Sequence, residues 1–314
     1  MNRGDGFKAV LSGLMKLAAT IVVTLFIVEQ AGLSSEELRR LDMGPFGIRA
    51  GWLAASCLIL LSGFFSTALI WSLIVRDLGG ISLSRTDAIT VFMIGNLGRY
   101  VPGKIWQIAA LGALARERGV SVTSATAAAV LGQGAGLAAA MLIGLGAVSS
   151  LAADNLLLWV ILGAVLTGTL LGLSPLIFNR ICRLWFRIAK ADLSETLTNR
   201  DGARWVLLSL GSWCIYSGAF WAFSVGLGFD LELISSASAF AAAYVLGYLA
   251  FFAPAGLGIR EGILITLLSS SVGIAPATAL AAAARLWITI VELIPAGSFW
   301  IRHLIANGGI DDRE

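Results

Sequence analysis

Six predominantly apolar stretches run along the chain, and each contains few charged residues. Each is long enough to cross about 30 Å of hydrocarbon, which takes about 20 residues of α-helix. The stretches lie at 9–28, 50–75, 124–148, 155–177, 205–227 and 277–301. This pattern predicts an all-α polytopic membrane protein with about six full transmembrane helices.

Two further apolar windows, 84–117 and 232–272, are each divided near the middle by proline and glycine. The pieces are too short to span comfortably, so each window predicts a re-entrant helical hairpin. The predicted hairpin tips consist of Pro102, Gly103, Pro254, Gly256 and Gly258. Unpaired backbone at such tips is tolerated only where protein or a water-filled cavity receives it. We therefore expect both tips to face the protein interior.

The two broken windows belong to an internal repeat. Residues 95–103 align without a gap with residues 247–255, sharing a glycine, a leucine and a proline in step. The register continues, since residues 120–129 fall on residues 272–281 with valine, threonine and alanine still matched. A duplicated, broken hydrophobic segment is the best sequence indication of a transporter site near the bilayer midplane.

Three predicted spans and one hairpin separate the start of the first copy from the start of the second. A hairpin adds two crossings or none, so the number of crossings is odd and the second copy is predicted to be inverted. The predicted organisation is an N-terminal transmembrane helix and outer loop (1–47), a first repeat (48–150), a connecting helix with a basic cytoplasmic linker (151–203), a second, inverted repeat (204–302) and a cytoplasmic tail (303–314).

Composition agrees with a membrane location, because 58% of the residues are hydrophobic, 13% are charged and the mean hydropathy is +0.87. Lysine and arginine are enriched in cytoplasmic loops. That rule places the loops at 76–85, 116–118 and 180–204 inside, with both termini, in a plasma (inner) membrane. Neither cysteine spacing nor a phosphate-binding loop motif predicts a metal, a cofactor or ATP hydrolysis in this chain, and no nucleic-acid partner is expected.

Several ionisable and amide groups fall within these apolar segments. A charge at membrane depth costs at least about 2.5 to 3.5 kcal/mol on insertion scales, so it is rarely retained without a partner or a task. Gln133 is the repeat counterpart of Arg285, which lies seven residues before Glu292 and on the same helix face. The candidate headgroup-binding residues are Asn96, Arg99, Lys104, Gln107, Gln133, Arg260, Glu261, Arg285 and Glu292.

Two interpretations of these charges are open. In the structural one they pair with each other, Arg260 or Arg285 with Glu292 and Lys104 with Glu261, and join the broken helices. In the functional one, four cations face only two anions, and the surplus positive charge binds a phosphate-containing headgroup. Arginine suits that role because its planar fork holds oxyanions bidentately.

Two sequence strings resemble a known family. Asn-Leu-Gly-Arg-Tyr-Val-Pro-Gly-Lys at 96–104 and Pro-Ala-Gly-Leu-Gly-Ile-Arg-Glu-Gly at 254–262, with Arg285 beyond them, are similar to the transmembrane region of lysylphosphatidylglycerol synthases and their free-standing flippase-like relatives. The resemblance covers about residues 10–305. It implies a domain that moves a lipid between leaflets, with Arg99, Lys104, Arg260, Glu261 and Arg285 as headgroup contacts. Because the chain stops at Glu314 without a soluble acyltransferase-like domain, we expect no synthase activity.

The leading hypothesis is a flippase-like lipid translocase whose partners are membrane lipids, anionic, aminoacylated or linked to polyprenyl phosphate. One alternative is a non-catalytic membrane partner of a separately encoded lipid synthase or glycosyltransferase. The other is a membrane transferase that modifies lipids, which would need acidic residues at the interface for a metal or a base. Its only acidic cluster in an outer loop would be Glu36, Glu37 and Asp42.

Overall fold

The regular structure in the described residues is helical throughout. The structure is a computed structural model that describes residues 47–79, 81–100, 105–152, 199–250 and 258–308, together with residues 160, 163, 167, 180 and 256. Its helices are α1 (Ala50–Gly79), α2 (Arg85–Asn96), α3 (Ile105–Arg116), α4 (Val122–Ala152), α5 (Asn199–Gly226), α6 (Leu233–Leu249), α7 (Ile259–Val272) and α8 (Ile274–Gly308). A 3₁₀ turn at Leu97–Tyr100 follows α2.

Four of these helices are long and apolar enough to cross a membrane. They contain the stretches Ala50–Gly79, Val122–Ala147, Arg200–Gly226 and Ile274–Trp300. These correspond to four of the six spans that hydropathy predicts, and an all-α polytopic membrane protein is confirmed. The predicted span at 9–28 lies outside the described residues, as does the one at 155–177 apart from three isolated positions.

Each of the two broken windows contains a pair of short helices, α2 with α3 and α6 with α7. The helices of each pair pack against each other at an equivalent glycine. A Cβ on Gly95 would lie 2.7 Å from the side chain of Leu111 on α3, and one on Gly247 would lie 2.9 Å from the Cβ of Arg260 on α7. The glycines that align in sequence are therefore the points where the two helices of each hairpin touch.

The first half (α1–α4) and the second half (α5–α8) pack against each other through equivalent helices. The first long helices of the halves, α1 and α5, share the most extensive helix contact in the described part of the chain. The first hairpin helix of each half packs against the last long helix of the other half, α2 on α8 and α6 on α4. As a result, α8 from the second half is positioned to meet polar groups from the first hairpin.

Polar contacts fix the start of α2. Ser84 is its N-cap, and the Ser84 hydroxyl accepts a hydrogen bond from the backbone N–H of Asp87 and donates one to the Asp87 carboxylate at 2.6 Å. Arg118, at the far end of the hairpin, pairs with the same carboxylate at 3.1 Å. The Ser84 hydrogen bond and, to a smaller degree, Arg118 lower the pKa of Asp87 below its ordinary value of 3.8.

Candidate functional site

The Glu292 carboxylate on α8 joins the first hairpin to the second half of the protein. The side chain is completely buried, and its Oε1 accepts a hydrogen bond of 2.6 Å from Nδ2 of Asn96 at the end of α2. Its Oε2 pairs with Arg99 in the adjoining 3₁₀ turn. Behind them, Nε2 of Gln107 on α3 donates to Oδ1 of Asn96 at 2.6 Å. Four of the predicted residues thus form one network that spans 196 positions of sequence.

Glu261, in the first turn of α7, forms a second buried contact with α8. Its Oε1 lies 3.6 Å from a guanidinium nitrogen of Arg285, and the two side chains are only 3% and 7% exposed. Its Oε2 accepts a 2.8 Å hydrogen bond from the backbone N–H of Gly258, which precedes the helix. A carboxylate at this position also stabilises the helix N-terminus.

Arg260 has a different environment from the two arginines in ion pairs. Its guanidinium carbon lies 4.9 Å from the ring centre of Phe240 and 5.8 Å from that of Tyr244, both on α6. Among the described residues no carboxylate lies within ion-pair distance of it. The ring faces attract its positive charge, and no described residue accepts a hydrogen bond from its guanidinium. Arg260 is therefore a cation with hydrogen-bonding capacity available to an oxyanion.

The aromatic residues around Arg260 are functional candidates that the sequence analysis missed. Phe240, Tyr244 and Tyr248 follow each other at intervals of four residues and so lie on one face of α6, which is a signal that the sequence does contain. Gln133 is connected to this group, since its Nε2 donates to the Tyr244 hydroxyl at 3.0 Å. The predicted glutamine thus lies one side chain away from Arg260.

The ion pairs differ from those considered in the structural interpretation. Glu292 is paired with Arg99, and not with Arg260 or Arg285, because the hairpin turn reaches it while Arg285 lies two helical turns, about 10 Å, along the same helix. Glu261 is paired with Arg285. Lys104, the partner considered for Glu261, lies outside the described residues.

The hairpin tips are described only in part. Pro102, Gly103 and Pro254 lie outside the described residues, as do Glu36, Glu37 and Asp42. Gly256 and Gly258 have φ angles of +70° and +82°, a left-handed conformation that other residues rarely adopt. The Gly256 backbone also approaches Gly247 so closely that a Cβ would lie 3.0 Å from the Gly247 carbonyl oxygen. Both glycines are needed for the chain to turn into α7.

The charges of the described site sum to an excess of one cation. The cations are Arg99, Arg260 and Arg285, and the anions are Glu261 and Glu292. A narrow pocket lies between α6, α7 and α8, with space for about one water molecule. It is lined by Phe240, Arg260, Glu261, Leu264, Ala281, Ala284, Arg285 and Ile288. The arrangement combines an available arginine with two buried ion pairs in an otherwise apolar bundle.

Comparison with known proteins agrees with the resemblance noted in the sequence. A family model described as the lysylphosphatidylglycerol synthase TM region matches residues 13–295. The match includes every predicted site residue and both hairpins. A search of curated proteins gives no match.

Proposed function

Because the chain belongs to the family of the lysylphosphatidylglycerol synthase TM region, we propose that it is a flippase-like lipid translocase. It moves a phospholipid or another lipid with an anionic headgroup between the leaflets of the membrane in which it is integral. The observation that carries this proposal is Arg260, a cation beside a small pocket, with aromatic rings against it and no carboxylate within ion-pair distance among the described residues. A cation at membrane depth is costly and is typical of a substrate pathway.

In this proposal Arg260 binds the headgroup phosphate. Its guanidinium donates to two phosphate oxygens while the acyl tails stay in the hydrocarbon. Arg99 and Arg285 are each paired with a glutamate, so Arg260 is the cation that meets the phosphate first. The pocket has space for about one water molecule, so headgroup entry requires the second hairpin to move relative to α8.

The two hairpins are proposed to be re-entrant and to come from opposite sides of the membrane, so that their tips meet near the midplane. Alternate access then follows from rocking of one inverted half against the other. The protein is proposed to act in the inner membrane with both termini in the cytoplasm. It performs no chemistry of its own and hydrolyses no ATP, so movement is passive or driven by a gradient.

The experiment is leaflet-to-leaflet movement of labelled lipids in liposomes that contain the purified chain. The panel consists of phosphatidylglycerol, an aminoacylated phosphatidylglycerol, a zwitterionic phospholipid and a polyprenyl phosphate. We expect the chain to move one class and the Arg260→Ala variant to lose at least about tenfold in rate, as expected for loss of a charged hydrogen bond. Arg260→Lys keeps the charge but not the planar fork, so an intermediate rate is expected.

The matched control is Arg116→Ala, which removes an exposed arginine from the end of α3. It should leave the rate unchanged. Movement by Arg260→Ala at the rate of the unmodified chain would contradict the proposed role of this residue. Absence of movement for every lipid, together with copurification of a soluble synthase or glycosyltransferase, would favour the partner-subunit hypothesis instead.

A further inference from the structure

Glu261 makes, with one carboxylate, the two kinds of contact that a bound phosphate would make at the same place. One oxygen accepts the Gly258 N–H at 2.8 Å, and the other faces Arg285 across 3.6 Å. The residue is 2% exposed and lines the pocket beside Arg260. An arginine and a helix N-terminal N–H are both typical donors to phosphate oxygens. The protein's own carboxylate therefore occupies a position suited to the ligand.

The contact between Glu261 and Arg285 is an ion pair without a direct hydrogen bond. A nitrogen–oxygen separation of 3.6 Å is too long for one. If Arg285 turned toward an oxyanion in the pocket, it would lose Coulomb attraction to Glu261 but no direct hydrogen bond with it. Arg260 and Arg285 line the same pocket, so both are placed to contact one phosphate group after the second hairpin has moved to admit it.

We propose that Glu261 is a resident anion that the headgroup phosphate displaces from Arg285. Before the headgroup binds, Glu261 balances the charge of Arg285. When the headgroup binds, Arg285 transfers to the phosphate and Glu261 keeps only its contact with the N-terminus of α7. When the headgroup leaves, the carboxylate takes Arg285 back. The inference rests on the proposed function and makes Glu261 a positioning residue, in place of the direct headgroup contact that the family resemblance implies.

This exchange has a consequence for affinity and for release. A carboxylate beside the binding position repels a phosphate and so weakens its binding. The same carboxylate makes departure easier, because Arg285 has an anion to return to. Glu261 would therefore favour fast turnover over tight binding, which suits a protein that must release the lipid in the opposite leaflet.

The test is the Glu261→Gln variant. A glutamine at the third position of a helix preserves the hydrogen bond to the N-cap backbone N–H, so the start of α7 is retained. The substitution removes only the charge. We expect this variant to bind phosphate groups about tenfold more tightly than the unmodified chain, because Arg285 then gives up no anion when it turns to the phosphate. Its rate of lipid movement at saturation should fall.

Binding is measured with the full chain in a maltoside detergent, which carries no phosphate. One arm uses dihexanoyl-phosphatidylglycerol and the other uses inorganic phosphate. Tightening of both probes identifies the phosphate group as the recognised chemistry, and tightening of the lipid alone identifies the lipid phosphodiester. Either result supports the inference.

The matched control is Glu232→Gln, which neutralises an exposed glutamate before α6 and leaves the site charges unchanged. An equal gain in affinity in this control would overturn the inference, since net charge alone would then explain it. Unchanged or weaker binding by Glu261→Gln would also overturn it. Lipid movement by the unmodified chain is measured separately, so the translocase proposal can stand while the inference about Glu261 fails.

A second comparison uses the Arg285→Gln background. If Glu261 acts through Arg285, adding Glu261→Gln to this background should tighten binding far less than tenfold, because only the direct repulsion between Glu261 and the phosphate is removed. A full tenfold gain without Arg285 would contradict the exchange.

Discussion

Replacing Glu292 by glutamine removes the buried charge that connects the first hairpin to α8. The carboxylate has no exposed surface, accepts a 2.6 Å hydrogen bond from Asn96 and pairs with Arg99. Glutamine has nearly the same shape and can still accept from Asn96. The substitution therefore tests the ion pair with Arg99 more than the packing.

The expected cost follows from the exposure of the two partners. Hydrogen bonds to charged groups contribute about 1.5 to 3 kcal/mol, and breaking a fully buried pair costs about 3 to 5 kcal/mol. The Arg99 side chain is 28% exposed, so the pair is not fully buried and its loss should cost less than the upper end of that range. We therefore expect Glu292→Gln to lower the free energy of unfolding by about 2 to 3 kcal/mol.

The assay is a double-mutant cycle with Arg99→Gln, read as the free energy of unfolding in a denaturing-detergent titration. Residues that interact directly show coupling of about 0.5 to 3 kcal/mol. We expect about 1 to 2 kcal/mol here, so that the double variant is more stable than the sum of the single effects predicts. The partly exposed pair Arg118 and Asp87 is the control, with an expected coupling of about 0.5 kcal/mol or less. Additive costs for Arg99 and Glu292 would refute the network.

Other substitutions test the remaining contacts. Gly98→Leu should push apart the two helices of the first hairpin and abolish lipid movement, because a Cβ there would lie 2.6 Å from the Gln107 backbone. Gly134→Ala should leave the melting temperature unchanged or raise it, because no atom lies within 4 Å of the new Cβ. Tyr244→Phe should leave Gln133 without its hydrogen-bond partner and cost about 1 kcal/mol of unfolding free energy. The pKa of Asp87 is lower in the folded protein than its ordinary value of 3.8, so ionised Asp87 adds to the free energy of unfolding above pH 3.8. This stabilisation is lost as the pH falls through the folded-state pKa. Asp87→Asn should therefore flatten the acid side of a plot of unfolding free energy against pH.

Much of the fold could be predicted because its determinants are local. The four described spans were visible as apolar stretches of the right length. The division of both hairpin windows was visible because proline and glycine interrupt helices where they occur in sequence. The equivalence of Gly95 and Gly247 was also visible, and the structure adds that each glycine allows two helices to touch.

The list of candidate charges was predictable for the same reason, since a charge within an apolar segment is conspicuous. Which of these charges pair with each other was not predictable. Glu292 could have met any of several arginines, and the sequence contains no information about which helix packs on α8. The aromatic face of α6 was detectable as a spacing of four residues, but its contact with Arg260 depends on how α6 and α7 pack.

A membrane protein of broken and unbroken helices, with a few charges inside apolar segments, can therefore be predicted from the sequence, because hydropathy and backbone restrictions act within a few residues. The pairing of Arg99 with Glu292 and of Arg285 with Glu261, and the contact of Arg260 with aromatic rings, depend on how the helices pack. An ion pair needs atoms within about 4 Å. Arg99 and Glu292 reach that distance across 193 positions of chain only after the two halves have packed.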